Sequence, residues 1–104
     1  MVEADVLVLA TPVYFYSMDG QLKTLIDRTL PRYTEIRDKE VYFIATAAAG
    51  RGAMERTVDS MRGFSDCLPG AQVKGIIYGS GVYQKGEVMD TKAFQEAYHL
   101  GKKV

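Results

Sequence analysis

Two stretches of this sequence are fit for chemistry through aromatic rings and bare backbone rather than through an acid, a base or a nucleophile. The first is Thr11-Pro12-Val13-Tyr14-Phe15-Tyr16-Ser17-Met18, with three consecutive aromatics. Apolar rings held at a strand end suit a flat aromatic ligand, which stacks on them and bonds to free backbone N–H groups. The same rings are equally able to plug a sheet end or to meet a second subunit. The second stretch is Ala47-Ala48-Ala49-Gly50-Arg51-Gly52-Ala53. Residues with almost no side chain let the backbone approach a ligand closely. A helix starting there offers free N–H groups to an anion or to an electron-rich ring edge. Arg51 is able to balance ligand charge, although an exposed loop arginine more often does nothing specific.

A third stretch, Gly79-Ser80-Gly81 followed by Tyr83, Lys85 and Gly86, reads as a plain turn. It does not complete a dinucleotide fingerprint, because position 84 is Gln and no helix is expected to start there. The single histidine, His99, and the single cysteine, Cys67, leave a zinc site short of ligands, so no metal is expected. Cys67 has no base near it in sequence and reads as a small packing residue. Ser17 has no partner histidine, so no catalytic side chain is assigned. Asp27-Arg28 reads as a surface or subunit ion pair.

These stretches need elements to hold them. Val6-Leu7-Val8-Leu9-Ala10 is a continuous apolar run, the pattern of a strand buried on both faces of a parallel sheet. A second run covers residues 41–47, and a weaker third covers 73–78, where Lys74 and Gly75 intervene. Between them the period becomes helical. In 18–30 the stripe is Leu22, Leu25, Ile26 and Leu30, with Ser17 as N-cap, Asp19 in the first turn and Pro31 as the stop. In 53–66 it is Met54, Val58, Met61 and Phe64. In 91–103 it is Phe94, Ala97, Tyr98 and Gly101, with Asp90 or Thr91 as cap. Strand, helix, strand, helix, strand, helix predicts right-handed crossovers and an α/β fold. Ligands of such sheets bind at the carboxyl ends of the strands, where all three stretches fall.

Composition agrees with one folded domain. The chain has 104 residues, 47% hydrophobic and 25% charged. Lys and Arg number 13 and Asp and Glu 13, so no positive field steers nucleic acid here. No apolar run approaches the ~20 residues of a membrane span. The first residues, Met1-Val2-Glu3-Ala4-Asp5, carry no basic n-region, so no signal peptide is expected. One cysteine forms no disulfide framework, which makes the cytoplasm the expected compartment.

Residues 4–23 and the Ile26-Asp27-Arg28 that follows resemble the middle of flavodoxin-like NADPH-dependent FMN reductases, in the iron–sulfur flavoprotein and multimeric flavodoxin branch. The likeness rests on a strand ending in Thr-Pro-Val-Tyr, followed by a Ser-Met-x-x-Gln-Leu-Lys helix. Residues 46–52 resemble the family's second flavin loop, and 86–102 its C-terminal segment. The resemblance implies a single truncated flavodoxin-like three-layer αβα domain over 1–104. Its three-stranded parallel sheet would be the third, fourth and fifth strands of the family's 2-1-3-4-5 order. The family's first strand, phosphate-binding loop, first helix and second strand find no match.

By resemblance, Pro12, Val13, Tyr14 and Phe15 line the flavin ring, and Ala48, Ala49, Gly50 and Gly52 approach it from the neighbouring loop. The implied cofactor is FMN, with NAD(P)H as electron donor. The implied reaction is hydride transfer from NAD(P)H to flavin and then electron transfer to an acceptor, by a whole enzyme or an inactive fragment. The alternative is a non-catalytic flavodoxin-like oligomerisation or interaction module without bound FMN. A first strand open on one side is expected to pair with another chain. The expected partner is a second copy, in a homodimer or higher homo-oligomer through that strand or through apolar helix faces.

Overall fold

A computed structural model describes all residues, 1–104. Strand β1 (Val6–Pro12), helix α1 (Gly20–Asp27), β2 (Glu40–Thr46), α2 (Arg51–Cys67), β3 (Gln72–Gly79) and α3 (Lys92–Gly101) follow one another along the chain. Short 3-10 turns occupy Leu30–Glu35 and Glu87–Asp90. The three strands are parallel, in the order β1-β2-β3. The α/β sandwich expected from the alternation is therefore present, with the strands at the expected places.

β2 is the central strand and is covered on both faces. Val41, Phe43 and Ala45 face a core built with Leu7 and Leu9 of β1 and Met54, Val58 and Met61 of α2. α1 joins this layer through Leu22 and Ile26, which are only partly buried. On the opposite face Tyr42, Ile44 and Ile77 line a small apolar gap together with Ala97 and Leu100 of α3. β1 differs from the expectation of two buried faces. Leu7, Leu9 and Thr11 are buried, while Val8 is 55% exposed. α3 lies over β3 and leaves β1 bare on that side.

Other expectations shift for local reasons. The N-cap of α1 is Asp19, not Ser17; its carboxylate accepts from Leu22 N–H at 2.8 Å. α1 ends before Pro31, which starts the Leu30–Glu35 turn rather than stopping a longer helix. α3 is capped by Thr91, as expected. The face of α3 turned to the sheet is Ala93, Ala97 and Leu100, and Tyr98 stays 58% exposed. The small alanines let the helix come close to β3 at Gly75, where a Cβ would stand 2.5 Å from Leu100 Cδ2. Lys74 and Gly75 do not end the strand. They lie at a register shift, so that Val41 pairs with Val73 and Tyr42 with Gly75. Cys67 is exposed rather than packed. Asp27 pairs with Lys23, one helical turn back, and not with Arg28.

Candidate flavin-ring site

The carboxyl ends of all three strands carry the three stretches singled out in the sequence. The first loop is pinned at its base. The hydroxyl of Thr11, a buried residue, accepts from the Asp19 N–H at 3.0 Å and donates to the Pro12 carbonyl at 2.7 Å. Val13 N–H donates to Thr46 O at 3.0 Å and extends the sheet ladder by one rung. The tip then folds back on itself. Tyr14 N–H donates to Ser17 O, and Ser17 N–H to Tyr14 O, both at 3.0 Å. Between them Phe15 and Tyr16 have φ of 50° and 65°. Two central residues at positive φ characterise the tightest hairpin turn, which normally takes Asn and Gly. Here two aromatics occupy it, and strain of this kind clusters at functional sites. The Phe15 ring is fully exposed.

The second loop leaves β2 and enters α2 through Gly50, whose φ of −76° and ψ of 178° make it an N-cap with no side-chain bond. The N–H groups of Ala48, Ala49, Gly50, Arg51 and Gly52 donate to no protein acceptor, and neither do those of Phe15 and Tyr16. Arg51 is turned aside. Its guanidinium lies 4.3 Å from the centre of the Tyr78 ring and 3.4 Å from Glu55.

The third stretch is more than a turn. Gly81 N–H donates to Ala49 O at 3.3 Å and Val82 N–H to Ala47 O at 3.0 Å, so it is laced to the second loop. Glu87 closes it from below, accepting from Tyr83 N–H at 2.6 Å and Gln84 N–H at 3.0 Å. Those two bonds hold the Glu87 carboxyl below its ordinary value.

A cleft of about 470 Å³ opens between the three loops, within the size range of ligand sites. Its walls include Pro12, Val13 and Tyr14 from the first loop, Ala48 from the second, and Val82 and Tyr83 from the third. Four of the eight residues expected at the site thus meet in one cleft. Phe15, Ala49, Gly50 and Gly52 border it in sequence without lining it. Sequence reading passed over the contribution of Val82 to Lys85. The signal for it is the pair of positive-φ glycines, Gly81 and Gly86, bracketing the segment.

A parallel α/β sheet with ring-bearing and backbone-rich loops at its carboxyl edge belongs to the open α/β class, whose ligand sites lie at that edge. The sequence model of the NADPH-dependent FMN reductase family matches residues 1–85, and the chain belongs to that family. It is 36% identical over 66 residues to an iron–sulfur flavoprotein from Methanocaldococcus jannaschii, covering 62% of this chain and 34% of that one. The chain therefore spans about a third of the length of that curated relative. Among solved structures, the Trp repressor binding protein from Bacillus subtilis superimposes with a TM-score of 0.78 at 24% identity, over 99% of this chain and 72% of that one. This likeness establishes the flavodoxin-like fold. No helix is long and apolar enough to cross a membrane.

Proposed function

We propose that this chain holds the flavin ring of an FMN-dependent oxidoreductase that draws electrons from NAD(P)H. The observation that carries the reading is the set of seven unpartnered backbone N–H groups on the first and second loops, which also supply Pro12, Val13, Tyr14 and Ala48 to the walls of one cleft. A flat ring with a polar rim fits such a place: the wall takes its face and the N–H groups take its rim. Pro12, Val13, Tyr14 and Phe15 are the proposed residues on one side, and Ala48, Ala49, Gly50 and Gly52 on the other. When bound, FMN supplies hydride acceptance from NAD(P)H and electron delivery to an acceptor. The chain's own work is to stack, to orient through backbone donors and to keep water off one ring face. No side chain moves a proton in this scheme. The family's phosphate-binding loop has no counterpart in residues 1–104, so the proposal assigns only the ring to these residues. Titrating the purified protein with FMN and with riboflavin, following fluorescence quenching, is the test. Saturable binding of both, with bleaching by NADPH in the FMN complex, is expected. A colourless protein that takes up neither ligand overturns the proposal.

A second reading is favoured by the free edge of β1, which pairs only with β2, and by the half-exposed Val8 beside it. Here the chain is an oligomerisation module in which a second copy covers that edge. Sedimentation equilibrium is expected to give a dimer or larger species that Val8→Lys disrupts. A monomer at high concentration removes this reading.

A further inference from the structure

We infer that Arg56 is the positioning residue of the first loop, holding the strained Tyr14–Ser17 turn at a fixed distance from the second loop. The inference rests on the flavin-ring reading for its consequence, and on the free protein for its evidence. Arg56 sits on α2, one turn beyond Gly52. Its guanidinium carbon lies 4.8 Å from the centre of the Tyr16 ring. Arg56 takes part in none of the four ion pairs of the chain, although Glu55 and Asp59 stand on the same helix. The aromatic ring is thus the partner its charge has found.

The turn needs such a partner. Its two central residues are both held at positive φ, at a steric cost to each that only glycine escapes. Two backbone hydrogen bonds close it, and the Phe15 ring touches nothing that would hold it. Tyr16 is the one central residue with a contact outside the turn, and that contact runs to the helix on which the second loop ends. Stacking Arg56 on Tyr16 therefore joins the two sides of the flavin-ring site through a side-chain contact. A cation over a ring keeps its attraction in water and tolerates small slides, which suits a joint between a loop and a helix.

The test reads the free protein first. Chymotrypsin cleaves after aromatic residues, and native-state cleavage within residues 14–16 follows the population of opened turn. Arg56→Met is expected to be nicked there about two- to fivefold faster than wild type, the factor an exposed cation–ring contact supplies. Arg56→Lys is expected to restore most of the protection, and Tyr16→Phe to keep it. The thermal midpoint of Arg56→Met is expected to fall by about 2–8 °C, because the same contact is lost on global unfolding, and those of the other two variants by less. Nicking of Arg56→Met at the wild-type rate overturns the inference. Riboflavin affinity is measured next and is expected to fall by the same factor in Arg56→Met. Faster nicking with unchanged riboflavin affinity overturns the positioning role. If wild type takes up no flavin at all, the proposed function fails, and the nicking rates still decide whether Arg56 holds the turn.

Discussion

The Phe15 position separates backbone strain from ring contacts in a single residue. Its φ of 50° places it in the left-handed region, and its side chain is fully exposed. Removing the ring therefore costs no packing, and Phe15→Ala is expected to stay within about 0.5 kcal/mol of wild type. Ala keeps the steric penalty of that conformation, about 1–2 kcal/mol, which Gly escapes. Gly in turn loses about 0.5–1 kcal/mol through its freer unfolded chain. The net leaves Phe15→Gly about 0.5–1 kcal/mol more stable than Phe15→Ala. With a urea slope of about 1.5 kcal/mol/M, the unfolding midpoint rises by about 0.3–0.7 M between the two variants. Both variants are expected to bind riboflavin more weakly than wild type, because both lack the ring. A stabilised protein with a weakened site is the signature of strain retained for function. Equal midpoints for Gly and Ala would refute the strain argument. Wild-type riboflavin affinity in either variant would show that the ring is not held by Phe15.

Thr11→Val keeps the shape of a buried side chain but orphans the Asp19 N–H; a loss of about 1–3 kcal/mol is expected, with the melting point falling about 4–8 °C for each. An unchanged melting point would show that the bond does not anchor the first loop. Glu87 titrates below its ordinary 4.5 because Tyr83 and Gln84 donate to its ionised form. The contribution of this cap to the third loop is complete above pH 4.5 and is lost as pH falls through the depressed value. The Tyr83 and Gln84 amide resonances are expected to shift in acid with a midpoint below 4.5, and a midpoint above 4.5 contradicts the cap. Gly75→Ala places a Cβ 2.5 Å from Leu100 Cδ2 and 3.0 Å from Tyr42 Cδ1, and is expected to cost about 1–3 kcal/mol in urea unfolding. Leu100→Ala in the same chain recovers part of that loss; no recovery would mean that α3 does not set the gap.

The order of elements was legible because strands and helices alternate with distinct periods. The core faces of β2 and α2 followed directly, since Phe43, Met54, Val58 and Met61 have no other place to be dry. What escaped was set by neighbours distant in sequence. Whether Val8 is covered depends on where α3 lies, and α3 seats Leu100 against the sheet where Gly75 on another strand leaves room. The aromatic first loop and the bare second loop were visible by composition. The positive φ at Phe15 and Tyr16 was not, because nothing in their residue types asks for it. Likewise the third loop looked like a turn, since the two bonds lacing it to Ala47 and Ala49 use backbone alone and leave no mark in the sequence.

That lacing changes how the site must respond to perturbation. The third loop touches the cleft through Val82 and Tyr83, yet its position is set by the carbonyls of Ala47 and Ala49 on one side and by the Glu87 carboxylate on the other. From Ala47 to Gly50 the second loop has almost no side chain with which to resist displacement; its shape is fixed by the β2 ladder behind it and by α2 ahead. Moving the third loop therefore moves the backbone of the second, whose N–H groups from Ala48 to Gly52 have no protein acceptor. The first loop is attached differently, by Thr11 at its base and by Arg56 at its tip. Loosening Glu87 should thus change the spacing of donors along the second loop, whereas loosening Arg56 should change the distance between the apolar wall and those donors. The first perturbation alters which polar atoms of a ring are satisfied, and the second alters how tightly the ring is sandwiched. A ring without polar rim atoms would feel only the second, so comparing flavin with an apolar polycyclic ring in the two sets of variants distinguishes donor spacing from wall spacing.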